Sequence, residues 1–280
     1  MIDIFINGTS NYALYLWGEI TTPHATNYFY WLISISLFFW SLEYIRPWRT
    51  EQHIIRKDFW LDCFYMFFNF FLFNLIVFNG LSDIGVYLWE LYIGTHFLAI
   101  QLHKIPTYLQ LLLLFVLKDF IHWNIHRLLH RIPFLWRFHQ VHHSVHEMGF
   151  AAHLRFHPME TVIYKSLEYI PLSLIGFSVN DFFSVYLIGL FIGHLNHSNI
   201  HIPMGFLKYL FNSPQMHIWH HSKDLPTPYG VNFGLSLSIW DYLFKTSYIP
   251  FDGKEIPLGF TNDQLHPKTF LNQLIYPFRK

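Results

Sequence analysis

The sequence predicts an all-α, polytopic membrane protein: about three full spans, a short membrane hairpin and a cytoplasmic helical cap that carries clustered histidines. Three observations predict it. Of 280 residues, 52% are hydrophobic, 21% aromatic and only 13% charged, where a soluble domain carries about 25% charge. Two apolar runs are long enough to cross a bilayer. There are twenty histidines, and fifteen of them fall between His122 and His221.

The elements follow in order. Residues 27–45 (NYFYWLISISLFFWSLEYI) and 59–79 (FWLDCFYMFFNFFLFNLIVFN) read as spans. A third, shorter run over 106–121 ends in Lys118 and Asp119. Residues 162–177 and 181–193 are too short for two spans. They read as a hairpin dipping into the bilayer, turned by Ser178, Asn180 and Asp181. Arg46, Arg49, Arg56 and Lys57 lie between the first two spans, so the positive-inside rule places that loop in the cytoplasm and the N-terminus outside. Residues 80–105 then lie outside, and the third span returns the chain inside just before His122. The whole chain, 1–280, reads as one membrane-embedded domain: spans over 1–121, a histidine-rich region over 118–246 and a polar tail over 247–280. Asp3 and the lack of a basic n-region argue against a cleavable signal peptide.

Composition also excludes. The net charge is zero with histidine neutral, which argues against a nucleic-acid partner. Cys63 is the one cysteine, so no internal disulfide and no cysteine-ligated zinc or iron–sulfur site can form.

The histidines have helical spacing. His126 and His130 stack four apart. His139, His142 and His143 stand at i, i+3, i+4, expected to point one way from one turn. The same HxxHH spacing recurs at His217, His220 and His221, and His194 and His197 close the second hairpin limb. A lone histidine is ordinarily a satisfied core residue. Two such triads are not explained by packing, since protonated neighbours repel, and metal coordination removes that cost. Ten imidazoles exceed the four ligands of structural zinc and suit two ions with roughly five each. "HEMGF" lacks the second histidine of HExxH, so the zinc-protease motif fails. Two oxygen-activating non-haem irons fit best. Zinc stays open, because it outbinds ferrous iron at most nitrogen sites.

The stretch "DFIHWNIHRLLHRIPFLWRFHQVHHS" resembles the first two histidine boxes of the fatty acid hydroxylase/sterol desaturase superfamily. "RFHPME", "HSNIHIP", "NSPQMHIWHHS" and "YGVNFGLSLSIWDYLFKT" resemble its later landmarks in order, over roughly residues 118–246. The resemblance implies a cytosolic histidine-ligated di-iron centre that uses O2 and outside electrons to hydroxylate or desaturate a lipid C–H bond, whether of a sterol, a fatty acyl chain or an alkylglycerol. Carried over residue by residue, its ligands are His126, His130, His139, His142, His143, His217, His220 and His221. His197 and His194 supply the middle pair, with His201 a competitor. Lys245 departs from the family, which usually has glycine there, and puts the final turn in question.

A ligating imidazole usually donates its other N–H to a carboxylate or carbonyl. Asp119, His157, Glu160, Asn196, His201 and Asp241 are the candidates for that supporting role, with Asn199 and Asn232 behind them. His122 reads as packing, and His146 and His153 as loop or pocket residues. His24 and His266, outside the clusters, are expected to tolerate alanine. Nothing resembles a haem domain, a ferredoxin motif or GxGxxG, so electrons are expected from a separate ferredoxin- or cytochrome-type donor. Two other classes stay open: a bis-histidine haem protein and a non-catalytic membrane metal-binding protein.

Overall fold

The computed structural model describes residues 1–92 and 102–279. Among the described residues, structure is helical, and the only β-type pairings are two isolated bridges, Phe211 with Leu237 and Ser222 with Leu258. Three helices are long and apolar enough to cross a membrane: α2 (Tyr28–Ile45), α3 (Phe59–Leu88) and α4 (Thr107–Arg131). Only 28%, 33% and 28% of their apolar windows are buried inside the protein, which leaves the remainder to lipid. The third span is longer than the apolar run suggests, because α4 continues through His126 and His130. Residues 93–101, within the segment expected to lie outside, are beyond the described residues.

An additional helix, α1 (Ile2–Thr21), precedes the spans and was not legible in the sequence. It packs against the second half of α3. The approach is close enough that a Cβ on Gly80 would stand 2.4 Å from the Phe5 ring. In α3, two π-helical stretches, Phe68–Leu72 and Asn74–Phe78, interrupt the α-helix. Asparagines recur there at five-residue intervals. The side-chain amide of Asn74 donates to the Asn69 carbonyl (2.8 Å) and that of Asn79 to the Asn74 carbonyl (2.9 Å). The ladder satisfies carbonyls that the wider π-turns expose, where lipid could not.

The expected hairpin is helical. α6 (Pro158–Tyr164) continues through a π-turn into α7 (Ile170–Ile175). Gly176 ends it, and Ser178 with Asp181 forms a capping box that starts α8 (Val179–His197). α8 packs on α2 and α4, and its last turn carries His194 and His197 to the ends of α5 (Pro133–His143) and α9 (Pro214–His220). Proline at the start of α5, α6 and α9 fixes where each short helix begins. Phe39, Leu32, Phe150 and Leu190 form a core that locks α2 and α8 together. Each such side chain contributes about 1.5–3 kcal/mol on full burial.

Two expectations are corrected. Residues 247–279 are packed, not a free tail: the Gly259 amide donates to the His221 carbonyl (3.0 Å), and Gln273, on α11 (Phe270–Ile275), is buried and accepts from the Tyr65 hydroxyl (2.8 Å). His266 is likewise buried, against Phe260 and Tyr276, so it is not a tolerant surface position.

Candidate metal centre

Nine of the ten singled-out imidazoles converge in two sets. His126, His130, His139, His143 and His220 form one, and His142, His197, His217 and His221 the other; within each, the ring nitrogens lie within 4.8 Å of one another. Each HxxHH triad is split. His139 and His143 join the first set and His142 the second, while His217 and His221 join the second and His220 the first. The expectation that a triad points one way fails for a geometric reason. At 3.6 residues per turn, i+3 falls about 60° to one side of i and i+4 about 40° to the other. The i and i+4 residues share a centre and i+3 crosses to its neighbour.

Fixed tautomers reveal what the sets are built for. The His126 Nδ1–H donates to the Phe233 carbonyl (2.8 Å), and that of His139 donates to Glu160 (2.8 Å). With Nδ1 so engaged in both rings, the two Nε2 atoms face each other 3.0 Å apart. The second set repeats this. His142 Nδ1 donates to the Arg155 carbonyl (3.1 Å) and His197 Nδ1 to the Gly193 carbonyl (2.8 Å), leaving their Nε2 atoms 3.2 Å apart. Facing lone pairs repel, and a cation between them reverses the sign. The Nε2 atoms of His130, His143 and His220 are also buried with no partner among the described residues, as an all-nitrogen metal site requires.

Burial, reinforced by neighbouring imidazoles, holds His142, His143, His217 and His221 well below the usual histidine value. His220 is pushed down to about 3, chiefly by burial. These rings are neutral at physiological pH, which is the ligating form.

The supporting residues divide. Glu160 touches a set directly, through His139. Asp119, Asp241 and Asn196 act one step further out, on the backbone of residues 231–241, and Asn232 ties that segment to α9 and to Tyr248. Asp119 accepts from the Ser236 and Leu237 amides (3.0 and 3.1 Å) and Asp241 from those of Phe233 and Gly234 (2.9 and 2.8 Å). The Asn196 side-chain amide donates to the Leu235 carbonyl (2.6 Å), and that of Asn232 to the Met216 carbonyl (2.9 Å). That segment, which leads into α10 (Ile239–Leu243), offers its Val231 and Phe233 carbonyls to His220 and His126. Gly230, at φ +82°, starts it where a Cβ would stand 2.9 Å from His130 Nδ1.

Other candidates lie elsewhere. His194 stands outside both sets, bonded to Ser36 (3.1 Å) and His153 (2.9 Å). His157 caps α6, accepting from the Met159 amide and donating to the Leu274 carbonyl. His201 is exposed beside Trp48. Asn199 fastens the basic 46–57 loop through Arg49, which puts that loop on the histidine side. Lys245 adopts φ +57°, the left-handed conformation that glycine favours, and the turn forms regardless.

A cavity of about 520 Å³ runs from His126, His139, His142, His197 and His217 outward to Tyr12 and Tyr15 of α1, with mostly apolar walls. Nothing in the residue pattern of α1 signals that it forms the far wall.

Residues 111–246, which contain both sets, match the family described as fatty acid hydroxylase. Over this stretch, just under half of its length, the chain resembles the fatty acid hydroxylase superfamily. It is 37% identical over 175 residues to ornithine lipid hydroxylase OlsE of Rhizobium tropici, a match over 62% of this chain and 52% of that one. It is 31% identical over 136 residues to the alkylglycerol monooxygenase of Caenorhabditis elegans, covering 46% and 25%, and 30% identical over 132 residues to the human one, covering 46% and 28%. The match thus spans about half or less of these relatives' length. No solved structure matches the chain.

Proposed function

We propose that this chain is an O2-dependent di-iron enzyme that hydroxylates a lipid C–H bond, with electrons from a separate ferredoxin- or cytochrome-type donor. The observation that carries the reading is the facing pair of imidazole Nε2 atoms in each set, opening on one mostly apolar cavity. His126, His130, His139, His143 and His220 would hold one iron, and His142, His197, His217 and His221 the other. Iron bound there supplies O2 activation and the oxidising power for a C–H bond. The chain's own residues do the remainder. The aromatic walls hold a lipid chain and exclude water from the reacting carbon, while Glu160 and the 231–241 carbonyls fix ring orientation.

Hydroxylation is favoured over desaturation by the relatives' names, a lipid hydroxylase and monooxygenases. A bis-histidine haem is disfavoured, because further imidazoles in each set occupy directions that porphyrin nitrogens would need. We propose that the basic 46–57 loop and both sets face the cytoplasm. An impermeant reagent should then label a cysteine at Asn7 from outside, and one at Gln52 or Lys254 only after lysis.

The deciding experiment pairs metal analysis with lipid mass spectrometry after expression in a host. The expected result is two metal ions per chain and O2-dependent gain of one oxygen in a lipid class. One ion per chain overturns the two-centre reading, and loss of two hydrogens in place of an added oxygen overturns hydroxylation.

A further inference from the structure

The cavity between the imidazole sets and α1 is lined mostly by apolar side chains; its polar ones include Glu19, Lys165 bonded to Asn74 (2.8 Å), and a cluster where α4 faces α8. There Lys118 and His122, one turn apart on α4, both reach Glu168 on the π-turn between α6 and α7. Lys118 Nζ lies 3.3 Å from Oε1 and His122 Nδ1 lies 3.1 Å from Oε2. The Tyr186 hydroxyl of α8 donates to Oε1 (3.1 Å), and its ring lies 4.8 Å beneath the Lys118 ammonium. His122 also stacks on Tyr164, centroids 4.4 Å apart. All five residues line the cavity.

An ion pair at span depth is expensive, and an apolar pair of similar volume would hold the helices as well or better. A purely structural role therefore does not explain it. The unused hydrogen-bonding capacity does. With Nδ1 facing Glu168, His122 Nε2 takes no partner among the described residues, and this side chain is the least buried of the three, at 18% exposure against 7% and 2%. The Lys118 ammonium has three N–H groups, and among the described residues Glu168 is its one ion-pair partner. The wall thus offers two polar groups with capacity to spare, an imidazole nitrogen and an ammonium, both steered by one carboxylate. A hydroxyl, which donates and accepts through a single atom, satisfies both.

We propose that Lys118, His122, Glu168 and Tyr186 form a polar anchor for the hydroxyl of a hydroxyl-bearing lipid, which sets which carbon meets the metal centre. His122 precedes His126 by one turn and Lys118 by two, about 6 and 12 Å along the helix. Oxidation therefore falls in the half of the chain nearest the hydroxyl. Lys118 and His122 are positioning residues here. The proposal rests on the lipid-oxygenase reading for its consequence, not for the binding itself.

The test uses full-length, metal-loaded protein in nanodiscs and compares two probes that differ by one oxygen, hexadecan-1-ol and hexadecane. Ligand binding to the folded state raises the melting temperature. The alcohol should do so at least tenfold lower in concentration than the alkane. His122→Phe keeps the stack on Tyr164 but removes both nitrogens, and should erase that difference; His122→Gln should recover part of it. Lys118→Met provides a second variant if His122→Phe does not fold, as judged by metal content. Equal responses of the wild type to both probes overturn the anchor. So do variants that discriminate as well as wild type, or turnover products oxidised in the distal half of the chain. A wild type that discriminates but oxidises no lipid leaves the anchor standing and overturns the oxygenase reading instead.

Discussion

The two imidazole sets share the same helices but are not equally restrained. In the five-membered set, His126, His139 and His220 each have Nδ1 committed, to the Phe233 carbonyl, Glu160 and the Val231 carbonyl. In the four-membered set, His142 and His197 are tied down. His217 and His221 leave Nδ1 buried without a partner among the described residues, and His217 Nε2 lies 3.0 Å from that of His197. The rings of the five-membered set are therefore the more firmly oriented, while His217 and His221 are free to turn.

The largest expected effect comes from removing a ligand. His220→Ala and His142→Ala strike different sets, and each should reduce lipid turnover to background while membrane insertion persists, since the spans satisfy the bilayer without metal. Metal content should fall from two ions to one in both. Retained turnover in either variant would make that set dispensable and end the two-centre comparison.

Removing Glu160 is the next step down. Glu160→Ala frees the His139 ring, and loss of such a supporting partner costs about 10–100-fold in metal affinity or activity. The loss should fall on the five-membered set, leaving the other near full occupancy during chelator titration. Equal weakening of both sets would show that Glu160 acts on the whole layer.

These two predictions also mark how far the sequence could be read. The spans were legible because a bilayer demands uninterrupted apolar runs. α1 was not, since Gly8, Gly18 and scattered polar residues break its apolar face and its partner on α3 is distant in sequence. The histidine spacings announced a metal centre, and Glu160 lay close enough in sequence to be suspected. Asp119 and Asp241, expected in the same role, hold a backbone segment instead. The carbonyls that orient His126 and His220 carry no sequence signature, because any residue supplies one. Nor does the spacing alone tell that i+3 serves a different centre from i and i+4.

Acid should separate the sets more gently. His142, His217, His220 and His221 are held below the usual histidine value in the folded chain, so the unfolded chain binds more protons once pH falls below about 6.5. The stability these neutral rings contribute is complete above that value and is lost as pH drops toward about 3, where His220 titrates. Protons also compete with metal. Metal retention followed from pH 7.5 downward should show two steps, the first from the four-membered set, whose His217 and His221 can turn to accept a proton. A single step common to both ions would remove the distinction.

The smallest expected effect concerns the turn that closes the carbonyl segment of the five-membered set. Thr246 and Ser247 amides return to the Asp241 carbonyl (2.8 and 3.2 Å), and the chain reverses at Lys245 with φ +57°. A residue with a Cβ pays about 1–2 kcal/mol in that conformation, while glycine adopts it freely but loses more entropy on folding. Lys245→Gly should therefore stabilise the protein by about 1 kcal/mol, the strain relieved less the entropy lost, seen as a small rise in melting temperature. Because the turn feeds Phe233 and Val231 through Asp241, the gain should appear as slower metal loss from the five-membered set and leave the other unchanged. A lower melting temperature would mean that the lysine side chain, not the backbone, holds this turn.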